Sequence, residues 1–554
     1  MSDQDALRQL AREWMAIDPD ADDRAVVAGW LEDDDEQALA AAFGARLSFG
    51  TAGLRGPIAP GPGGMNRLSV RQATAGVAAW LDHEGVEGPV VIGFDGRRGS
   101  AVFAADAARV IRATGRAVQS FPHVVPTPLV AYAVRALGAA AGIVVTASHN
   151  PPDDNGYKVF WGDGAQIVPP HDQGIASRIP AGSVPVADDE GTVVSPEVTS
   201  TYLDAVLGTR VHTTELAPVR VVYTPMHGVG RALVSEVLAR GGHHDVHVVP
   251  EQAEPDGRFP TVAFPNPEEE GALDLSYALA TQVGAHVVIA NDPDADRLAV
   301  AVPTPTGWRR LSGNEVGWLL ADDLLSHGQH PEPRGVATTI VSSTRLAAMA
   351  AHHGVAYAET LTGFKWLARV SMALGEQGGA LVLGYEEALG YSVGGLVRDK
   401  DGVSAALLLV DLVAWLHHRG ETLLDRLDAL DRAFGVVASR QVARVHKGPE
   451  GRGRIDAGMA RLRARPPGAL GGAAVTRRAD LLTDDRGELP PSNVLAFYLQ
   501  GGHRALVRPS GTEPKLKFYV EARVDAGDDL DASRRAADGV AEAIERDLLA
   551  ALEA

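Results

Sequence analysis

"AGIVVTASHNPPDDNGYKVFW", residues 141–161, sets an apolar, β-branched run directly against a polar loop. A short apolar run bounded by turn signals reads as a buried strand, and Pro151-Pro152 permit neither its continuation nor an immediate helix. The run stops at Thr146-Ala147, so Ser148, His149 and Asn150 are held at a strand's end. In open α/β sheets, ligands bind beyond the carboxyl ends of strands.

Two further stretches share this design: "HVVIANDPDADR" (286–297) and "ALVLGYEEALGY" (380–391). Other strand candidates are "VVIGFD" (90–95), "VRVVYTP" (219–225) and "GVATTIVSS" (335–343), with Ala-rich helical stretches between them. Alternating strand and helix signals give an α/β fold class, and three strand-to-loop units suggest three related modules facing one cleft. Past "ARVHKGPEGRGR" (443–454) the pattern changes. A Gly/Pro-rich region, the strand "KLKFYVEAR" (515–523) and an amphipathic helix from about Leu530 read as a smaller α+β domain. Turn clusters at 181–198 and 326–335 mark further breaks. The expected domains are 1–207, 208–330, 331–440 and 441–554, carrying the serine, aspartate, glutamate and "RPSGT" loops respectively.

At 554 residues and 45% hydrophobic content, the chain is too long for one core and is expected to form several domains. It has no cysteine, which excludes disulfides, thiolate catalysis and Cys-ligated zinc. The N-terminal stretch lacks an apolar leader, and the most apolar run, "AALLLVDLVAWL", is short and interrupted by Asp411, so a cytoplasmic protein is expected. A net charge of −20 repels nucleic acid and anionic membranes, and neither is an expected partner. Any anionic ligand must therefore meet a local basic cluster.

Ser148 lacks the surrounding G-x-S-x-G of a hydrolase elbow, but His149 and Lys158 give it an electropositive, proton-exchanging setting suited to phosphate transfer. Asp292, Asp294 and Asp296 alternate; in an extended segment they would point the same way and converge on one hard cation. An EF-hand is ruled out, because Arg297 stands where its glycine and Pro303 where its glutamate would be. Phosphate oxygens are the usual complement of Mg²⁺ carboxylates, so a compact Mg²⁺ site is expected. Glu386 and Glu387 could accept hydrogen bonds from vicinal sugar hydroxyls, and Lys400, between two aspartates, is a candidate acid or base. In "RPSGTEPK", Arg508 can grip phosphate bidentately, Ser510 and Thr512 offer hydroxyls, Gly511 admits a close backbone N–H, and Lys515 adds charge. The set describes an enzyme acting on phosphorylated sugars, with one anion site at the chemistry and one remote from it.

Through "FGTAGLRG", "TASHNPPDDNGYKVFW", "NDPDADRLAV", "TLTGFKW", "GYEEALGY", "DKDGVSAA" and "RPSGTEPK", in that order along nearly the whole chain, the sequence resembles the α-D-phosphohexomutase superfamily, in particular its phosphoglucomutase and phosphopentomutase-like branch. The resemblance implies four domains around a central cleft: three similar α/β units and a last α+β domain. It implies that Ser148 is a phosphoserine whose phosphate completes the Mg²⁺ shell of Asp292, Asp294 and Asp296. Arg55, Lys158 and Arg297 would surround the transferring phosphate, and Lys365, Glu386 and Glu387 would bind the sugar. The "RPSGT" loop would hold the other phosphate. The implied reaction interconverts a sugar 1-phosphate with a 6-phosphate, or a 5-phosphate for pentoses, through a sugar bisphosphate that also serves as activator. Glucose or mannose phosphates are the first expectation and pentose phosphates the alternative. Ala388 stands where hexose-selective members often carry a serine, and His149 and Lys400 are both open as acid or base. A metal-dependent sugar phosphatase and a non-catalytic sugar-phosphate binder are the remaining readings.

Overall fold

The computed structural model describes residues 3–445, 450–483, 489–510 and 515–553. Strand Ala141–Val145 is buried at every position, as its unbroken apolar run requires. It runs parallel to Val90–Phe94 on one side and antiparallel to Asp154–Trp161 on the other. The polar loop of residues 146–153 is thus the tip of a hairpin, and the return strand brings Lys158 opposite Val144.

The same plan recurs twice. In the second sheet, Val246–Val248, Val221–Thr224 and Val287–Ala290 are parallel, and Ala299–Thr304 returns antiparallel after the aspartate loop. In the third, Ala356–Thr360, Arg334–Thr339 and Ala380–Glu386 are parallel, and Gly390–Val393 returns antiparallel after the glutamate loop. Each polar loop therefore leaves the same strand of a repeated four-strand arrangement. The first sheet adds Leu54–Pro57 and Thr192–Val193 at its edges, and the second adds Gly307–Arg310. The fourth sheet is antiparallel throughout and backed by helices Gly451–Ala464 and Leu530–Glu553, an α+β arrangement.

One apolar cluster runs through the first three units, and helix Gly402–His418 lies at its centre. This helix carries the most apolar run of the chain and is buried almost all round, which is why it lacks a polar face. Its Asp411 is tolerated because Arg210 donates to both its oxygens, at 2.7 and 2.8 Å, and His243 pairs with it at 2.7 Å. Among the described residues, no helix is long and apolar enough to cross a membrane. Helices Asp3–Met15, Ala21–Glu32 and Glu36–Phe43 precede the first unit and pack a small core of their own around Trp14, Val27 and Leu39.

Candidate active site

Ser148 is 3% exposed and adopts φ = 53°, a left-handed conformation that costs a non-glycine residue about 1–3 kcal/mol. Three contacts hold it there. Its N–H donates to Thr146 Oγ1 at 2.8 Å, its hydroxyl donates to Asp292 Oδ2 at 2.9 Å, and His149 Nδ1 lies 3.2 Å from Ser148 Oγ. The loop itself is pinned by Arg97, whose guanidinium donates to the carbonyls of Ser148 and Asn150, both at 2.6 Å, of Pro151 at 2.7 Å and of Asp154 at 3.1 Å. Arg97 is itself buried, pairs with Asp95 at 3.4 Å and lies over the Phe259 ring. Arg55 reaches the loop through Asn150 Oδ1 at 3.2 Å. Gly53 ahead of it, at φ = 74°, comes so near the return strand that a Cβ would sit 1.8 Å from the Tyr157 carbonyl oxygen.

Asp292, Asp294 and Asp296 are fully buried, with ligand oxygens all within 4.8 Å of one another. They do not converge by strand alternation. Strand Val287–Ala290 ends before them, and the segment turns with Ala295 at φ = 54°, so a tight turn gathers the carboxylates. The correction has a simple cause: three buried charges around one point need a concave loop, which an extended strand does not form. Thr127 of the first unit docks this turn, donating its N–H to the Asp294 carbonyl at 3.0 Å and its hydroxyl to Asp294 Oδ2 at 2.6 Å. Lys158 donates to Asp294 Oδ2 at 2.7 Å and Asp296 Oδ2 at 3.1 Å, and Lys400 lies 3.2 Å from Asp296 Oδ2.

Asp294 Oδ1 and Asp296 Oδ1 are buried without a hydrogen-bond partner. Such oxygens are costly unless a cation takes them, and an all-carboxylate donor set fits a hard divalent ion. Burial and the charges of Asp294 and Asp296 push Asp292 well above the usual carboxylate range. For Asp294 the same burial is outweighed by Lys158 and by hydrogen bonds from Lys158 and Thr127, which hold it below that range. Burial, with the charges of Arg297 and Arg55, drives His149 well below the usual imidazole range. Burial opposes the charge on Lys400, but Asp296, Asp399 and Glu386 raise it. Arg297 lies 3.8 Å from Asp292 and 3.7 Å from Glu268.

The third unit supplies Glu386, whose Oε1 accepts from the Gly363 N–H at 2.6 Å, and Glu387, whose Oε2 accepts from Ser342 Oγ at 2.8 Å. Burial raises both carboxyls. Lys365, lowered by burial, opens helix Phe364–Glu376 and reaches across to Thr51 Oγ1 at 2.5 Å. Gly390 is required by this packing, because a Cβ there would meet Lys400 Cδ at 2.5 Å. From the fourth unit, Arg508 hydrogen-bonds Thr362, one residue before Gly363. The Ser510 N–H donates to the Lys515 carbonyl at 2.8 Å. Gly511 and Thr512 lie outside the described residues.

Models of the phosphoglucomutase/phosphomannomutase family match in four successive pieces: alpha/beta/alpha domain I at 46–184, domain II at 200–307, domain III at 312–433 and the C-terminal domain at 462–537. The chain belongs to this family. A probable phosphomannomutase of Haemophilus influenzae is 44% identical over 83% of this chain and 93% of its own. A probable phosphoribomutase of Schizosaccharomyces pombe is 38% identical over 97% of both chains. A putative phosphomannomutase from Thermus thermophilus shares the fold, with a TM-score of 0.70 at 21% identity over 91% of this chain and 99% of that one. Family membership makes the chain a phosphosugar mutase, an isomerase.

Within this family framework, three residues that shape the site escaped the sequence reading: Arg97, Thr127 and Thr362. Arg97 stands in "FDGRRG", directly after the strand Val90–Phe94, and that strand-end position was the available signal. Arg97→Lys keeps a charge but cannot span four carbonyls from one ammonium. It is expected to lower kcat by about 10²-fold through misplacement of Ser148 and stability by about 2–3 kcal/mol. Steady-state kinetics and urea unfolding measure the two effects, and unchanged values for both would remove Arg97 from the positioning role.

Proposed function

We propose that this mutase interconverts a hexose 1-phosphate and 6-phosphate, of glucose or mannose, with Ser148 as the phosphate carrier. The observation that supports this most directly is the hydroxyl of Ser148 at 2.9 Å from Asp292, beside two unpartnered aspartate oxygens. Asp292, Asp294 and Asp296 would hold Mg²⁺, which when bound neutralises charge on the transferring phosphoryl group. Arg55, Lys158 and Arg297 surround that group with positive charge, so catalysis rests on positioning and electrostatics.

A sugar hydroxyl attacks the phosphorus of phosphoserine, a new P–O bond forms to the sugar, and the P–Oγ bond breaks. His149, 3.2 Å from Oγ and pushed by burial toward the neutral form, would accept the proton of the attacking hydroxyl, and Lys400, whose charge Asp296, Asp399 and Glu386 favour, would be the proton donor. The resulting bisphosphate turns over in the cleft and returns its other phosphate to Ser148. Lys365 and Glu386, which feel each other's charge, would grip the sugar together with Glu387. Arg508, Ser510, Gly511, Thr512 and Lys515 would hold the phosphate that is not reacting.

Pentose phosphates are the second reading. Ala388 lacks the hydroxyl that hexose-selective members often carry, and the S. pombe phosphoribomutase aligns over 97% of both chains. Coupled assays with glucose, mannose, ribose and glucosamine 1-phosphates decide between them, and the substrate with the highest kcat/KM identifies the sugar. Release of inorganic phosphate in place of an isomer would instead establish a phosphatase, and binding without turnover would establish a carrier.

The remote clamp gives a separate expectation. Arg508→Lys keeps the charge but loses the planar fork, so a two-point phosphate grip becomes a one-point grip. Forward and reverse rates should both fall by about tenfold. The bisphosphate should escape more often and leave dephosphorylated enzyme, so added glucose 1,6-bisphosphate should restore activity. Unchanged kinetics with no new dependence on the activator would make "RPSGTEPK" a structural turn.

A further inference from the structure

A second cluster of metal-binding chemistry lies outside the residues of the catalytic site. Asp323 and His327 are one turn apart in helix Gly313–His327, so their side chains share a face. His212 reaches them from the segment that follows helix Pro196–Leu207. His212 Nε2 is 2.7 Å and His327 Nδ1 3.0 Å from the same oxygen, Asp323 Oδ1, and one ligand atom from each of the three residues falls within 4.8 Å of the others. His212 and Asp323 are buried, at 6% and 3% exposure, while the His327 side chain is one-third exposed.

Three features set this cluster apart from an ordinary buried ion pair. Among the described residues, the recorded ion pairs of Asp323 are to these two imidazoles, with no lysine or arginine. The nearby guanidinium of Arg419 is committed to Glu215 at 2.8 Å and to the Trp415 ring. The imidazoles are also fixed in place: His212 stacks on Trp415 at 4.4 Å, and His327 meets the same ring edge-on at 4.8 Å. Two imidazole nitrogens and one carboxylate, with the His327 side chain reaching solvent, match the donor set of a Zn²⁺ site, whereas Mg²⁺ prefers oxygen ligands alone.

We propose that His212, Asp323 and His327 form a Zn²⁺ site. Because His212 falls in the span matched by family domain II and the other two in that of domain III, the ion ties two domains together. The site is independent of the sugar the enzyme turns over.

The test uses the full chain, stripped with a chelator and kept in saturating Mg²⁺ to fill the aspartate loop, then titrated with Zn²⁺ by calorimetry. One zinc equivalent should bind and raise the unfolding midpoint. Affinity should fall roughly tenfold or more in His212→Asn and in His327→Asn, while Asp294→Asn keeps zinc binding. Mutase activity of the two histidine variants without zinc, equal to that of the parent, shows that they fold. Co²⁺ should quench tryptophan fluorescence, and Trp415→Phe should remove that quenching. No zinc binding in the presence of Mg²⁺, zinc affinity in both histidine variants equal to that of the parent, or loss of zinc only in Asp294→Asn would each overturn the site.

Discussion

The Ser148→Ala protein is expected to lose mutase turnover by roughly 10⁴-fold or more, the scale on which removing a nucleophile acts. The side chain removed is the one whose oxygen lies 2.9 Å from Asp292 and 3.2 Å from His149, and among the described residues no other hydroxyl hydrogen-bonds Asp292. The fold should survive, since Arg97 holds the loop through main-chain carbonyls that alanine retains. The left-handed φ of 53° adds a second, opposite expectation for stability. Ser148→Gly removes the Cβ penalty and should be more stable than Ser148→Ala by about 1 kcal/mol, while being equally inactive. Intact-mass measurement of the active parent should show one phosphate, and peptide mapping should place it on Ser148. Full activity in the alanine variant would end the phosphoserine reading.

Asp294→Asn is expected to lower kcat by about 10³-fold, about 4 kcal/mol at the transition state. The geometry leaves the amide no good orientation. Asp294 Oδ2 accepts from Thr127 and Lys158, so an NH₂ placed there faces two donors. Turned the other way, the NH₂ replaces Oδ1, the buried oxygen left without a hydrogen-bond partner and so available to the expected cation. Lys158 keeps Asp296 at 3.1 Å, so the fold should persist. Activity measured against Mg²⁺ concentration should show a higher requirement as well as a lower plateau. An undiminished rate in metal-free buffer would count against the metal site itself.

Much of this enzyme is written in short stretches of sequence. Each unit's polar loop follows directly from an apolar run that can only be a buried strand, and Pro151-Pro152 fix where the first strand stops. The alternating aspartates carry the expectation of a cation site, and the structure gathers three carboxylates that could hold an ion, although by a turn and not an extended strand. The return strands were not anticipated, because "NGYKVFW" alternates weakly and its partner is chosen by pairing across the sheet.

By itself, the sequence determined the α/β class, the order of the functional loops and the identity of the groups able to do chemistry, since strand propensity, turn residues and charge spacing act over a few neighbouring residues. The tertiary structure alone decided which of these groups meet: Thr127 with Asp294 across 167 residues, Lys365 with Thr51 across 314, and Arg97 beneath the serine loop. It also decided that His212 joins Asp323 and His327. Apart from that of Arg97, these contacts form between units that dock through a shared apolar core, and burial in that core carries no local signal of which polar groups it will press together.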